Sequence, residues 1–147
     1  MINRVDFYMI PGVDNLARLS FACKLTSKAR SLNNSVYLFA KDQQESEQLD
    51  DMLWNMEPTA FLGHDIKGQE FDQIQPVLIG QDADPGKSFD LFINLTDNMP
   101  VSVENNQRVA EILHQAADCL TPGRERYKQY KVICKNSNSE LNYHELG

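Results

Sequence analysis

Two short apolar runs, each followed by a segment with helical spacing, open the sequence. Residues 5–10 form the first run, which a Pro-Gly pair ends, and residues 35–40 form the second. Asp14 and Asp42, which follow the two runs, are of a type that favours the N-cap of a helix. Neighbouring parallel strands need a crossover connection, which is usually a helix. The order strand, helix, strand, helix therefore predicts an α/β fold, with a mostly parallel sheet flanked by helices.

Apolar side chains in the two predicted helices recur at spacings of three and four, as on the buried face of a helix. Glu45 also stands three residues after Asp42, which is the spacing of a capping box. The predicted buried stripes are Leu16, Leu19, Cys23, Thr26 and Ala29 in the first helix, and Leu49, Met52, Leu53 and Met56 in the second. Further strands are predicted at residues 60–62, 77–80, 89–95 and near 108–113, the last of them after a short helix.

The last strong pattern is a helix over residues 121–135, with Thr121 as its N-cap and Pro122 as its first residue. The residues after it, 136–147, are polar and are predicted to form a loose tail. At 147 residues the chain has the size of one ordinary domain, and no repeat or linker divides it. We therefore expect one α/β domain over residues 1–135.

The charge of the chain is uneven, which limits its partners. The formal net charge is −7, from 14 basic and 21 acidic side chains. Residues 1–41 hold six basic and two acidic side chains, a balance of +4; residues 42–118 hold three and sixteen, a balance of −13; residues 119–147 hold five and three, a balance of +2. A protein that coats DNA or RNA needs a surplus of Lys and Arg to neutralise phosphates. The total charge argues against that class, while the basic ends suit acidic partners.

The N-terminus and the cysteines indicate a cytoplasmic protein. The first residues lack the apolar run and cleavage site of a signal peptide, and no apolar stretch approaches the length of a membrane helix, about 20 residues. The three cysteines, Cys23, Cys119 and Cys134, are odd in number and widely spaced, which favours free thiols in a reducing compartment. The histidines and cysteines do not have the short spacings of a zinc site. We expect no membrane association, metal or cofactor.

Motifs for nucleotide and phosphate chemistry are incomplete. The first turn has one glycine, Gly12, where a dinucleotide site needs three. Residues 80–88 end like a phosphate-binding P-loop, but five residues separate the two glycines where four are required, and two aspartates lie between them. Cys119 and Arg124 resemble a phosphatase loop only faintly, because four residues intervene and the segment is not glycine-rich. No catalytic residue is predicted, and a small nucleotide-dependent enzyme on the same scaffold stays an alternative.

The predicted C-terminal helix presents a row of cations. Arg124, Lys128, Lys131 and Lys135 recur at spacings of four, three and four, which places them on one helical face beside Tyr127. Cations beside an amphipathic ring suit a short acidic peptide with an apolar end or a free carboxylate. A solvated helix face is the simpler alternative, and direct binding of single-stranded DNA is a third one.

Trp54 and Phe61 form the second candidate surface. Trp54 lies about 100° past Leu53 around its helix, outside the centre of the buried stripe. Phe61 would face away from Ala60 and Leu62 in an extended segment. Two large aromatic side chains off the core predict a hot spot for a protein partner. The alternative is that Trp54 folds over the helix end and seals the sheet edge.

Four segments together resemble the chi subunit family of bacterial DNA polymerase III. The most specific is Arg-Glu-Arg-Tyr-Lys-Gln-Tyr-Lys-Val at residues 124–132; the others are Leu-Asp-x-x-Leu-Trp at 49–54 with Phe61 and His64 after it, Val-Asp-Phe-Tyr at 5–8, and Asp-Leu-Phe-Ile-Asn-Leu at 90–95. The resemblance spans most of the chain. It implies a Rossmann-like α/β domain without catalytic activity of its own, acting as an accessory subunit of the clamp-loader assembly.

The resemblance also implies partners. The family pairs with the psi subunit, which tethers it to the clamp loader, and grips the acidic C-terminal tail of single-stranded DNA-binding protein, so it meets DNA only indirectly. A repair helicase competes for the psi-facing side. By matching position, the tail-binding residues are Arg124, Tyr127, Lys128 and Lys131, with Leu113 as apolar lining, and the psi-facing residues are Trp54 and Phe61. Leu120 stands where family members can have a basic residue, and Pro122-Gly123 precede the motif, which predicts a tail site of altered shape.

Overall fold

A computed structural model describes residues 2–56, 64–66, 77–101 and 103–146. Within these residues three α-helices, seven strands and a short 3-10 helix follow one another along the chain. They are β1 Arg4–Met9, α1 Asn15–Ser31, β2 Val36–Phe39, α2 Gln43–Met56, β3 His64–Ile66, β4 Val77–Gly80, β5 Leu91–Asn94, the 3-10 helix Val103–Asn105, β6 Arg108–Leu113, α3 Ala117–Ser137 and β7 Glu140–Glu145.

The strands form one sheet in the order β3-β4-β2-β5-β6-β1-β7, and every strand pair in it is parallel. The prediction of an α/β fold with a parallel sheet flanked by helices is confirmed, and the architecture is consistent with a Rossmann-like fold. The short helix and the strand predicted before residue 114 are also found. Residues 60–62, where a strand was predicted, lie outside the described residues.

Helices cover the two faces of the sheet unequally. α1 and α2 pack on one face, over a cluster that includes Leu38, Ile79 and Ile93. α3 packs on the other face, over β6, β1 and β7. Strands β2, β4 and β5 are buried at every position, which explains their continuous apolar sequences. We call the two sides the α1 face and the α3 face.

The predicted helix starts on the α1 face are largely confirmed. The Asp14 carboxylate accepts a hydrogen bond from the Leu16 N–H at 3.0 Å, and Asp42 accepts one from the Glu45 N–H at 2.8 Å. The Glu45 carboxylate in turn accepts from the Lys41 N–H at 3.3 Å, one residue before the partner that a capping box uses. Leu16 was predicted to be buried and is exposed, because it lies in the first turn of α1 before the helix reaches the sheet.

α3 begins five residues earlier than predicted. Its first residue is Ala117 and its N-cap is Ala116, so Thr121 is not the N-cap and Pro122 lies inside the helix. A proline there removes one hydrogen bond and disfavours the helical conformation of the residue before it. Packing outweighs this cost, since Cys119 and Gly123, on either side of the proline, are both buried against the sheet.

The prediction of a loose tail after residue 135 is wrong. α3 continues to Ser137, and after a left-handed residue, Asn138, the chain forms β7. β7 pairs with β1 in parallel register from Arg4 with Glu140 to Met9 with Glu145. Its side chains are exposed or half-buried because it lies at the edge of the described sheet. Backbone hydrogen bonds rather than an apolar sequence hold such a strand, which is why the polar sequence suggested a tail.

Candidate partner-binding site

A pocket of about 430 Å³ opens on the α3 face, between α3 and the strands beneath it. Phe7 and Met9 of β1 and Leu113 of β6 contribute its apolar floor. These residues share one face because side chains alternate along a strand, and Met9 pairs directly with Leu113. Tyr143 of β7 closes the pocket from the other side and is 50% exposed.

Gly123 determines how closely α3 approaches this floor. A Cβ atom at residue 123 would lie 2.7 Å from Cδ1 of Leu113, closer than real side chains come. The absence of a side chain therefore lets the helix backbone rest on the Leu113 side chain. Gly123, the second residue of the Pro-Gly pair that precedes the basic motif, is thus part of the wall of the pocket.

Three cations stand on the rim of the pocket. Arg124, Lys128 and Lys131 are exposed, and all three line it. Lys128 also forms an exposed ion pair with Glu125 on the same helix, at 3.4 Å, and such pairs are weak. Lys135, the fourth cation of the predicted row, is exposed but does not line the pocket. The result is an apolar floor with a positive rim.

Two tyrosines complete the lining. The ring of Tyr127 meets the ring of Phe7 edge to face, with centroids 5.0 Å apart, and this contact fixes the half-buried Tyr127 above the floor. The pKa of Tyr143 is raised, first by partial burial and then by Glu145, while the positive charge of Arg124 acts in the opposite direction. The Tyr143 hydroxyl is protonated at neutral pH, as in an ordinary tyrosine, and it is hydrogen-bonded to Glu145.

A buried polar network holds α3 in place beneath the pocket. The Arg126 guanidinium donates to both oxygens of the Glu111 carboxylate at 3.0–3.2 Å, and the Tyr130 hydroxyl donates to the same carboxylate at 2.8 Å. Asn94 of β5 supplies a further hydrogen bond at 2.9 Å. Burial, followed by the negative charge of Glu111, raises the pKa of Tyr130 well above its ordinary value. The network ties α3 to β6 and β5.

The basic motif therefore divides between two tasks that the sequence did not separate. Arg126 and Tyr130 point inward with Cys119, Gly123 and Cys134, at spacings of three and four residues. The outward positions carry the rim of the pocket. The inward stripe is visible in the sequence, but its arginine looks like one more surface cation until its partner on β6 is known.

The structure brings all five residues predicted for the tail site together in one pocket. Arg124, Tyr127, Lys128 and Lys131 line it from α3, and Leu113 lines its floor. Sequence reasoning missed Tyr143, because β7 was taken for a tail, and it missed the strand residues that share the floor. Only the alternation of β1, with Phe7 and Met9 on one side, gave a signal for these.

The second predicted surface is described only in part. Trp54 lies near the end of α2 and is 38% exposed, whereas Leu49 and Leu53 of the same helix are buried. The prediction that Trp54 lies off the buried stripe is confirmed. Phe61, the other residue of this surface, lies outside the described residues. Trp54 is on the α1 face of the sheet, opposite the pocket on the α3 face.

In the described part of the chain, neither a phosphate-binding loop nor a cluster of metal ligands is formed. Residues 81–88 are irregular and lead into β5, whereas a phosphate-binding P-loop leads into a helix. The three cysteines are buried free thiols, and burial raises the pKa of Cys23 to about 12. No group of three His, Cys, Asp or Glu side chains among the described residues is placed to hold a metal ion. No described helix is long and apolar enough to cross a bilayer.

The chain matches a protein family and is similar to known proteins. Residues 2–133 match the family described as DNA polymerase III chi subunit, HolC. A DNA polymerase III subunit chi from Pseudomonas aeruginosa is 38% identical over 130 residues, covering 88% of this chain and 90% of that protein. A protein of the same description from Haemophilus influenzae is 23% identical over 141 residues, covering 95% of this chain and 98% of that protein.

Proposed function

Since this chain belongs to the DNA polymerase III chi subunit family, we propose that it is a non-catalytic accessory subunit that links two protein partners during DNA replication. One partner is the acidic C-terminal tail of single-stranded DNA-binding protein, held in the pocket on the α3 face. The other is the psi subunit of the clamp loader, held on the α1 face around Trp54. In this role the protein acts in the cytoplasm and reaches DNA through the tail.

The composition of the α3-face pocket supports tail binding. An acidic peptide with an apolar last residue needs cations for its carboxylates and an apolar recess for its end. Arg124, Lys128 and Lys131 supply the cations around a floor of Phe7 and Leu113. This combination of charged rim and apolar floor is the observation that carries the proposal.

The rim and the floor contribute differently to binding. The exposed cations steer the tail to the pocket and give binding that weakens as salt rises. Each exposed ion pair contributes only about 0–1 kcal/mol. Burial of the apolar end against the floor supplies the remainder. We expect micromolar affinity, which corresponds to about −8 kcal/mol.

Charge reversal at Arg124 tests the tail site. Arg124→Glu replaces an attraction at the pocket rim by a repulsion, so we expect affinity for a tail peptide to fall by more than about tenfold. Isothermal titration calorimetry with the peptide measures this at about 0.15 M salt, where charges act over about 8 Å. Circular dichroism should show an unchanged fold, because the side chain is exposed.

Lys135→Glu is the matched control for this experiment. It makes the same change of charge on the same exposed side of α3, but outside the pocket. Its affinity for the peptide should stay close to that of the unaltered protein. Equal losses of peptide affinity in both variants would mean that the peptide responds only to the overall charge of α3. No loss of affinity in Arg124→Glu would contradict the assignment of the site.

Trp54 supports the proposed psi surface, because a large half-open aromatic side chain near a helix end is typical of an interface hot spot. Trp54→Ala should lower the affinity for psi by about 2 kcal/mol or more, or about thirtyfold, without loss of tail binding. Co-purification and titration with psi measure it. Leu16→Ala, which removes an exposed apolar side chain from the neighbouring helix α1, is the control. Wild-type psi binding by the Trp54 variant would contradict the proposal. A repair helicase that uses this surface should compete with psi.

A further inference from the structure

We call the pocket on the α3 face the tail pocket. A second cavity, of about 520 Å³, lies on the α1 face of the same strands. We call it the basic cleft. Asp6 and Tyr8 of β1 line it, whereas Phe7 and Met9, the alternating residues of that strand, line the tail pocket. The cleft runs between the flank of α1 and β7 at the edge of the described sheet. The function proposed above makes no use of it.

Two guanidinium groups are fixed in the floor of the basic cleft. The Nε atoms of Arg4 and Arg108 both donate to Oδ2 of Asp6 at 2.9 Å, and the Asp6 side chain is only 2% exposed. Asn142 and His144 of β7 contact the other carboxylate oxygen at 3.2 and 3.1 Å. Arg4 and Arg108 remain 41% and 26% exposed. Asp6 thus positions two cations that still face solvent.

Two further cations come from α1. Lys24 and Lys28 are exposed, line the same cavity and lie one helical turn apart, about 6 Å along the axis. Among the described residues neither lysine has a carboxylate within ion-pair distance. With Arg4 and Arg108 they give four positive charges against the one negative charge of Asp6. Arg4, Lys24 and Lys28 are three of the six basic residues within residues 1–41, so part of the positive balance of that segment lies here.

Flat rings lie beside these charges. The rings of Tyr8 and His144 stack with centroids 4.8 Å apart and planes 17° apart, and both residues line the cleft. The His144 side chain is partly open to solvent. Proteins that bind single strands without sequence preference combine a positive groove, which follows the phosphates, with aromatic rings that stack on the bases.

We propose that the basic cleft binds the sugar-phosphate backbone of single-stranded DNA. Arg4, Arg108, Lys24 and Lys28 contact phosphates, and a base meets the open side of the His144 ring, which stacks on Tyr8. An acidic peptide fits this cleft less well than the tail pocket, because the floor of the cleft is the Asp6 carboxylate with its ligands, and the apolar side chains of Phe21, Leu25 and Leu32 lie on the α1 side of it. The net charge of −7 excludes coating of long strands but not a local contact of a few phosphates.

The salt dependence of strand binding tests the proposal. Each phosphate neutralised on a single strand contributes about −0.7 to the slope of log K against log salt, so four contacts predict a slope of about −3. Lys24→Ala with Lys28→Ala should lower its magnitude to about 1.5 and weaken binding at low salt by at least about tenfold. Fluorescence anisotropy of the full chain with a short labelled oligo-dT, between about 50 and 200 mM salt, measures both quantities.

Lys128→Ala with Lys131→Ala is the matched control, because it removes two exposed helix lysines from the opposite face. This variant should leave the salt dependence of strand binding unchanged and lower only the affinity for the tail peptide. No strand binding at low salt, an unchanged slope in the cleft variant, or equal changes in both variants would overturn the proposal. It would also be overturned if the cleft variant lost tail-peptide affinity, or if thymidine monophosphate displaced the strand at equal phosphate concentration. The proposal does not depend on the tail site, so either can fail alone.

Discussion

Each face of the sheet at its β6-β1-β7 end contains one buried carboxylate, and the two are held differently. On the α3 face, Glu111 binds Arg126, and both side chains are almost fully shielded from water. On the α1 face, Asp6 binds Arg4 and Arg108, which remain partly hydrated. The first carboxylate fixes a helix against the sheet, whereas the second holds cations at a surface. Both carboxylates form ion pairs with arginine. What differs is how deeply the arginine is buried, and this difference separates the structural role of Glu111 from the binding role proposed around Asp6.

The same comparison explains why the two cavities suit different ligands. Period-two alternation sends Phe7 and Met9 toward α3 and Asp6 and Tyr8 toward α1. On the α3 face the cations stand on a rim above apolar atoms, which suits a peptide with an apolar end. On the α1 face they stand around a buried carboxylate, with stacked rings and apolar side chains of α1 beside them. One edge of a small sheet thus carries two cavities with the same sign of charge and different chemistry.

The largest effect is expected at the deeper carboxylate. Glu111→Ala leaves the Arg126 charge and the Tyr130 hydroxyl buried without their shared acceptor. Removing one partner of a buried ion pair costs about 3–5 kcal/mol, so we expect the free energy of unfolding to fall by this amount. Urea unfolding measured by circular dichroism tests it. Tail binding should weaken as well, because α3 forms one wall of the pocket.

Glu125→Ala provides the matched control, since it makes the same substitution at an exposed glutamate of α3. Its ion pair with Lys128 lies in solvent, so the loss should stay below about 1 kcal/mol. If the two substitutions destabilised the protein equally, depth would not distinguish the two kinds of pair, and the comparison between the faces would fail.

The sequence predicts best those elements in which the polarity of the side chains follows from their burial or from a capping role. β2, β4 and β5 are buried on both faces and read as continuous apolar runs, and the caps of α1 and α2 are aspartates with a clear role. β7 and the first turn of α3 were missed for a physical reason. Edge pairing through the backbone and close packing at Gly123 leave little trace in side-chain polarity.

The candidate sites show the same division. The row of cations on α3 follows from helical spacing within one element, so the rim of the tail pocket could be predicted. Tyr143 and the floor residues come from other elements, and only the fold brings them to α3. The cations of the basic cleft come from β1, α1 and β6, so no pattern within a single stretch of sequence predicts the cleft. The positive charge balance of the first 41 residues was the one sequence signal of the cleft, and it did not indicate where in the fold the cations would lie.

A smaller effect, dependent on pH, is expected at Asp6. Burial alone would raise the pKa of this carboxyl, but hydrogen bonds from His144 and Asn142 and the charges of Arg108 and Arg4 outweigh it, and the pKa lies below its ordinary value of 3.8. A carboxylate with a lowered native pKa stabilises the fold fully above 3.8 and loses that contribution as the pH falls through its native value. Asp6→Asn should therefore cost about 1–2 kcal/mol at pH 7, less than Glu111→Ala because Arg4 and Arg108 keep part of their hydration.

The gap in stability between the unaltered protein and Asp6→Asn should begin to narrow below pH 3.8, where the unfolded chain becomes protonated. It should close below the lowered native pKa of Asp6, where both folded proteins carry a neutral group at residue 6. Urea unfolding at pH 7 and at several acidic values measures the gap, with Asp51→Asn on α2 as an exposed control. A gap that stayed constant down to low pH would mean that the shape of the Asp6 hydrogen bonds, rather than the charge, supports the cleft. In that case Arg4 and Arg108 would not be held by electrostatics, and the distinction between a carboxylate that anchors a helix and one that presents cations would rest on Glu111 alone.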